Sequence, residues 1–201
     1  MFPPPVLILE CGYINGDSGS YHERRLARVS TSWNKLHGEA LKAPERPDDR
    51  WVALGIDLPV WRDLGAYTLI LGQVQGDATV PRNYAAILAG ITKAAGDTYG
   101  PVRVRPHPLI QKPTRTLEED LSYAARAVTW TSNSAVDAVL AGVPTIAFNW
   151  GCMAWPVTSH ALCEPHYVGN RLPWCYDLSY RQWTHDELRT GHAWEHLSYG
   201  I

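Results

Sequence analysis

The sequence lacks several features that would settle its class at once. No apolar run approaches the ~20 residues that cross a bilayer; runs such as residues 6–9 and 67–71 are far too short. Its four cysteines, Cys11, Cys152, Cys163 and Cys175, contain no Cys-x-x-Cys pair. Cys163 and His166 have ligand-like spacing, with Cys152, His160 and Cys175 nearby. Structural zinc normally takes two tight ligand pairs, so no metal is expected there. There is no Asp-x-Asp pair to clamp a divalent cation. Charge of one sign is also missing: the net charge is −2, which argues against a broad basic surface for non-specific nucleic-acid binding. No secretory signal is read, because Met1-Phe2 runs straight into Pro3-Pro4-Pro5 without a basic segment. A reduced, cytoplasmic setting is the expectation.

What remains is a chain of 201 residues, 45% apolar. That suits one substantial α/β domain plus a smaller piece. The aromatic balance is skewed: nine Trp and ten Tyr stand against two Phe. Trp and Tyr have a polar end and line sites for sugars and bases, but they also serve as half-buried packing. Trp174, Trp183 and Trp194 are read as packing residues in a helical C-terminal stretch. The cluster of His22, Arg24, Arg25 and Arg28 is read as a solvated helix face.

Residues 6–10 form a short apolar strand ending in Glu10-Cys11-Gly12. A turn-rich stretch and a helix over 21–28 follow, and residues 30–63 read as irregular. From residue 67 the pattern becomes regular. Strands are expected at 67–73, 102–105, 127–130 and 145–148. Helices are expected from Pro81 to about 95, over 117–125 behind Thr116, and over 135–141. The last of these helices closes at Gly142-Val143-Pro144. This alternation predicts a Rossmann-like α/β fold, a parallel sheet with helices on both faces. The predicted division is a reduced N-terminal lobe over 1–63 and a nucleotide-binding domain with a C-terminal helix over 64–201.

Right-handed crossovers put all strand carboxyl ends on one edge. That edge would carry Gln73, Asp77, Arg105, His107, Ser132, Ser134 and Asn149. Ligands of open α/β sheets bind at such an edge, and helix starts favour anions there. A nucleotide phosphate site is therefore expected. Each residue also has a plainer reading. His107 between two prolines shapes a turn, and Ser132 and Ser134 cap a helix. Asp137 complements a helix dipole, Asp77 ends a turn, and Glu10 holds a loop amide.

The motifs Ser132-Asn133-Ser134, Asp137-Ala138 and Gly142-x-Pro144 resemble the donor-binding half of glycosyltransferases with two facing Rossmann-like domains, the GT-B arrangement. Arg105-Pro106-His107-Pro108 resembles the His-Pro motif of bacterial sialyltransferases, polysialyltransferases and capsular Kdo transferases. The set Gln73-x-x-Gly76-Asp77, Met153-Ala154-Trp155, Gln182-Trp183-Thr184 and Trp194-Glu195 looks like a group of glycosyltransferases of bacteriophages and proteobacterial prophages. This resemblance covers roughly residues 6–197. It implies a nucleotide-sugar donor bound by Gln73, Arg105, His107, Ser132, Asn133, Ser134 and Asp137, the last on the ribose hydroxyls. It implies catalysis by His107 with Glu10 or Asp77 as base, no metal and no cofactor. The acceptor would be a saccharide or a hydroxymethylated base of phage DNA. The family's acidic-acidic-Gly motif is Glu10-Cys11-Gly12 here, with Cys in place of the second acid. A non-catalytic nucleotide-binding module and an epimerase-like enzyme are the competing readings.

Overall fold

The computed structural model describes residues 7–14, 28–33, 46–77 and 79–198. The chain divides into two compact units, residues 58–169 and residues 1–57 with 170–201. The C-terminal segment thus groups with the N-terminal residues, whereas the sequence assigns it to the second domain. The reason is strand pairing across the length of the chain.

In residues 58–169 the strands are β3 (Tyr67–Leu71), β4 (Val102–Arg105), β5 (Ala124–Thr129) and β6 (Thr145–Ala147). They form a parallel sheet in the order β4-β3-β5-β6. The crossovers contain α2 (Tyr84–Tyr99), α3 (Leu117–Tyr123) and α4 (Ser134–Leu140). The strand order turns back after β4, so right-handed connections put α2 on one face and α3 and α4 on the other. In register, Ile70, Val128 and Ile146 form one buried row, and Leu88, Ile91 and Ala95 of α2 pack on it. Full burial of such side chains stabilises by about 1.5–3 kcal/mol each. Leu69, Leu71 and Ala127 alternate to the other face and are equally buried.

The helix expected over 117–125 ends at Tyr123, and β5 begins three residues earlier than the sequence indicates. Ala124-Ala125-Arg126 has helical propensity, but Ala124 pairs with Tyr67. Arg62 donates to the Leu121 carbonyl and, at 2.9 Å, to that of Ala124, closing the helix from a distant segment. Tertiary pairing overrides local preference here.

The other unit carries an antiparallel sheet of β1 (Leu7–Cys11), β2 (Arg28–Trp33) and β7 (Gln182–Thr184), in that order. With it are α1 (Asp49–Ala53), α5 (Leu172–Ser179), α6 (His185–Arg189) and α7 (His192–Ser198). Residues 30–63 are therefore not irregular throughout; they hold most of a strand and a short helix. Trp174 and Trp183 are buried as expected, Trp183 on a strand rather than a helix, while Trp194 is exposed. The basic residues at 22, 24 and 25, and the helix expected over 21–28, lie outside the described residues except for Arg28, which opens β2.

Arg50 ties α1 to the end of this sheet. Its Nη1 donates to Glu187 at 2.6 Å, Nη2 to the Gln182 carbonyl at 3.0 Å and Nε to the Ser179 carbonyl at 3.0 Å. The guanidinium lies over the Trp183 ring at 4.4 Å. Burial pushes the Glu187 carboxyl up, but hydrogen bonds from Arg50 and the Thr184 amide outweigh this and hold it at about 2. Folding therefore favours the ionised form. Its contribution is complete above pH 4.5, the ordinary value, and is lost as pH falls through about 2. We expect Glu187→Gln to cost roughly 1–3 kcal/mol at neutral pH, in the range for hydrogen bonds to charged groups. In urea unfolding, its deficit against wild type should shrink through that acid window. A deficit that stays constant with pH would refute the ionic account.

Candidate functional site

Strands β3 and β5 are adjacent, yet the chain leaves them in opposite directions, from β3 towards β4 and from β5 towards β6. This is the point where an open parallel sheet forms a crevice outside its strand ends. Gln73, just beyond β3, spans it. Its Oε1 accepts from the Thr131 amide at 2.7 Å, and its Nε2 donates to Thr131 Oγ1 at 2.7 Å. Thr131 Oγ1 also meets Thr79 Oγ1 at 2.9 Å, and Trp130 Nε1 donates to the Thr79 carbonyl at 2.9 Å. The two strand ends are thus latched together. Gln73, expected to bind ligand, is buried in this latch. Thr131 and Thr79 escape sequence reading, because a Thr beside a turn carries no signal of a partner about fifty residues away.

The start of α4 differs from a bare helix terminus. Ser132 Oγ accepts from the Ser134 amide at 3.2 Å, the Ser132 carbonyl from Ala135 at 2.9 Å, and the Asn133 carbonyl from Val136 at 3.0 Å. The first amides are thereby taken up locally. What this turn can present to an anion is its hydroxyl donors and the Asn133 amide, which does not cap the helix. Asp137 follows in the first turn, half-buried.

At the end of β4, His107 Nδ1 accepts from the Leu109 amide at 3.2 Å. In the neutral ring the proton is therefore on Nε2, which makes that nitrogen a donor. Gly72 brings this segment close: its amide donates to the Arg105 carbonyl at 2.9 Å. A Cβ on Gly72 would lie 2.9 Å from that carbonyl oxygen and 3.6 Å from the His107 amide nitrogen. We expect Gly72→Ala to displace the Arg105–His107 backbone. The check is the amide shifts of residues 105–110, which should move more than those of β5. Unchanged shifts there would show that the sheet absorbs the methyl elsewhere.

Arg105 is committed elsewhere than the sequence suggests. Its Nη1 donates to Asp120 Oδ2 at 2.6 Å and to the Arg115 carbonyl at 2.8 Å. Asp120 is 1% exposed, and a buried carboxylate needs such a partner. Asp77 is exposed in the turn after β3, its carbonyl accepting from the Val80 amide at 2.9 Å. Asn149, beyond β6, accepts from the Gly151 amide at 2.8 Å. The sheet thus gathers Gln73, Asp77, His107, Ser132, Asn133, Ser134 and Asn149 at one edge. Glu10 belongs to the other unit, opposite Ser30 in the β1–β2 pairing. There Gln182 Oε1 accepts from the Tyr13 and Ile14 amides, both at 2.9 Å, and so anchors the turn that follows Glu10-Cys11-Gly12.

Of the residues considered for a metal, His166 accepts from Arg126 Nε at 3.0 Å. Burial pushes the Cys152 and Cys175 thiols up to about 12. Among the described residues no helix is long and apolar enough to cross a membrane.

No protein-family model and no curated protein matches this chain significantly. Among solved structures it is similar to Thermosulfurimonas dismutans KpsC in two forms. One is named as a beta Kdo 2,7 transferase, at 14% identity, TM-score 0.53, covering 89% of this chain and 70% of that one. The other is named as a beta Kdo 2,4 transferase, at 18% identity, TM-score 0.54, covering 89% and 73%. The likeness establishes the fold class expected from the sequence, Rossmann-like α/β of the GT-B kind.

Proposed function

We propose that this protein is a glycosyltransferase that moves a sugar from a nucleotide-sugar donor to a hydroxyl acceptor without a metal. The observation that carries the reading is the latched crevice between β3 and β5, flanked by His107 on one side and Ser132–Ser134 on the other. The fold shared with two sugar transferases supports it. The donor phosphate would take hydrogen bonds from His107 Nε2 and the Ser132 and Ser134 hydroxyls, with Asn133 beside them and Asp137 on the ribose. The acceptor oxygen attacks the anomeric carbon as the bond to the phosphate oxygen breaks. The phosphate departs with the electron pair, and the acceptor proton passes to a carboxylate, Glu10 or Asp77. Donors aimed at the departing phosphate stabilise charge that develops in the transition state. The acceptor would be a saccharide or a hydroxymethylated base of phage DNA, the latter flipped from its duplex.

The test is a thermal-shift panel of UDP-, GDP-, CMP- and dTDP-sugars, followed by transfer assays with the donor that binds. A specific donor at a hundredfold over its Kd stabilises by about 2.7 kcal/mol. The absence of a shift with every donor would refute the reading. Binding without transfer or hydrolysis would favour a nucleotide-binding module, and an altered sugar without an acceptor would favour an epimerase-like enzyme.

A further inference from the structure

Arg103 and Arg105 project from the same face of β4, two residues apart. Both meet the buried Asp120 carboxylate, Arg103 Nε at 2.7 Å and Arg105 Nη1 at 2.6 Å. Arg103 Nη2 also donates to Thr114 Oγ1 at 3.2 Å. These contacts frame a cavity of about 210 Å³ between the strand and the loop over 111–114, with Gln111 and Lys112 completing its wall. One carboxylate there faces two guanidiniums and an ammonium, leaving two positive charges in excess. Lys112 has no carboxylate at ion-pair distance among the described residues.

Unbalanced cations around a small cavity concentrate anions. Guanidiniums held in place by Asp120, beside Lys112, suit the tetrahedral oxygens of a phosphate group. At ~30 Å³ per water, the space exceeds what a few waters fill and admits a phosphate with part of its carrier. The cavity is lined by β4 and the loop after it, whereas the crevice opens between β3 and β5. β4 is the edge strand, and the crevice lies beyond β3, with neighbouring strands about 4.8 Å apart.

We propose that this cavity at the outer edge of β4 is a second anion site, taking a phosphate group either free or carried on a sugar. The test is titration of the full chain, in chloride buffer, with inorganic phosphate and with glucose 1-phosphate, read by amide shifts. Wild type should bind saturably, with shifts in residues 111–116. Lys112→Ala should weaken binding about tenfold, and Lys112→Arg, which keeps the charge, should restore most of it; a tenfold change corresponds to about 1.4 kcal/mol. His107→Ala should leave the phosphate-induced shifts of residues 111–116 in place, and Lys112→Ala should keep nucleotide-sugar binding. This separates the inference from the reading of the crevice. Tighter binding of glucose 1-phosphate would identify a sugar-borne phosphate, and equal binding a free anion. Lack of saturation, equal affinity in Lys112→Ala, or loss of the shifts of residues 111–116 in His107→Ala would each overturn the proposal.

Discussion

His107→Ala is expected to fold normally and to lose about 10²–10³ in transfer rate, the usual effect of removing one donor from developing charge. The ring is half-exposed beyond the end of β4, outside the buried row of the sheet, so its truncation leaves no core cavity. Two roles must be separated. His107 shapes its turn through Nδ1, which takes the Leu109 amide, and on our reading it binds donor phosphate through Nε2. His107→Asn keeps an acceptor near the Leu109 amide but shortens the reach of the donor. If the turn is all that matters, His107→Asn restores turnover; if the phosphate interaction matters, the turn contact is kept but the rate stays low. Ser134→Ala provides the parallel test. Ser134 is the first residue of α4, with Asn133 as its N-cap, so its truncation should cost little stability, whereas removing a hydroxyl that binds phosphate lowers donor affinity. Wild-type turnover in His107→Ala would end the role of this strand end.

Gly142→Ala is expected to destabilise the protein by roughly 2–4 kcal/mol, towards the large end of single substitutions. Gly142 follows α4 with φ +73°, a conformation that costs an L residue about 1–2 kcal/mol. Space is the second penalty: an added Cβ would lie 2.5 Å from the Val60 carbonyl oxygen and 3.3 Å from Pro59 Cγ. That segment cannot simply retreat, because the Arg62 amide donates to the Gly142 carbonyl at 2.7 Å. Gly191, with φ +84° and nothing within 4 Å, is the control, and Gly191→Ala should show the backbone cost alone. Urea unfolding of both variants checks this. Equal losses would show that residues 59–62 move aside freely.

The four parallel strands were legible because their signals are local. Short apolar runs alternate with helical segments, and β-branched and aromatic residues mark strand cores such as residues 67–71 and 145–147. Strand ends were legible for the same reason: polar residues cluster directly after each run, as in Thr131-Ser132-Asn133-Ser134. That much follows from periodicity and from the handedness of crossovers, without reference to residues far apart in the chain.

What the sequence could not reveal depends on partners far along the chain. β2 is a strand because it pairs with β1 and with β7, about 150 residues on, and Gln182 holds the turn after Glu10 from farther still. Arg105 has the same local look as a ligand-binding arginine, yet a buried carboxylate fifteen residues away claims it. Gln73 likewise reads as a ligand-binding residue until Thr131 takes both ends of its amide. By itself the sequence determined which elements form the parallel sheet and its helices and which edge of that sheet carries the polar groups, since propensity and period act within a few residues. The tertiary structure decided which of those groups are held by the protein itself. Burying a charge or an amide forces it onto whatever partner the fold brings near, and nothing in the local pattern names that partner.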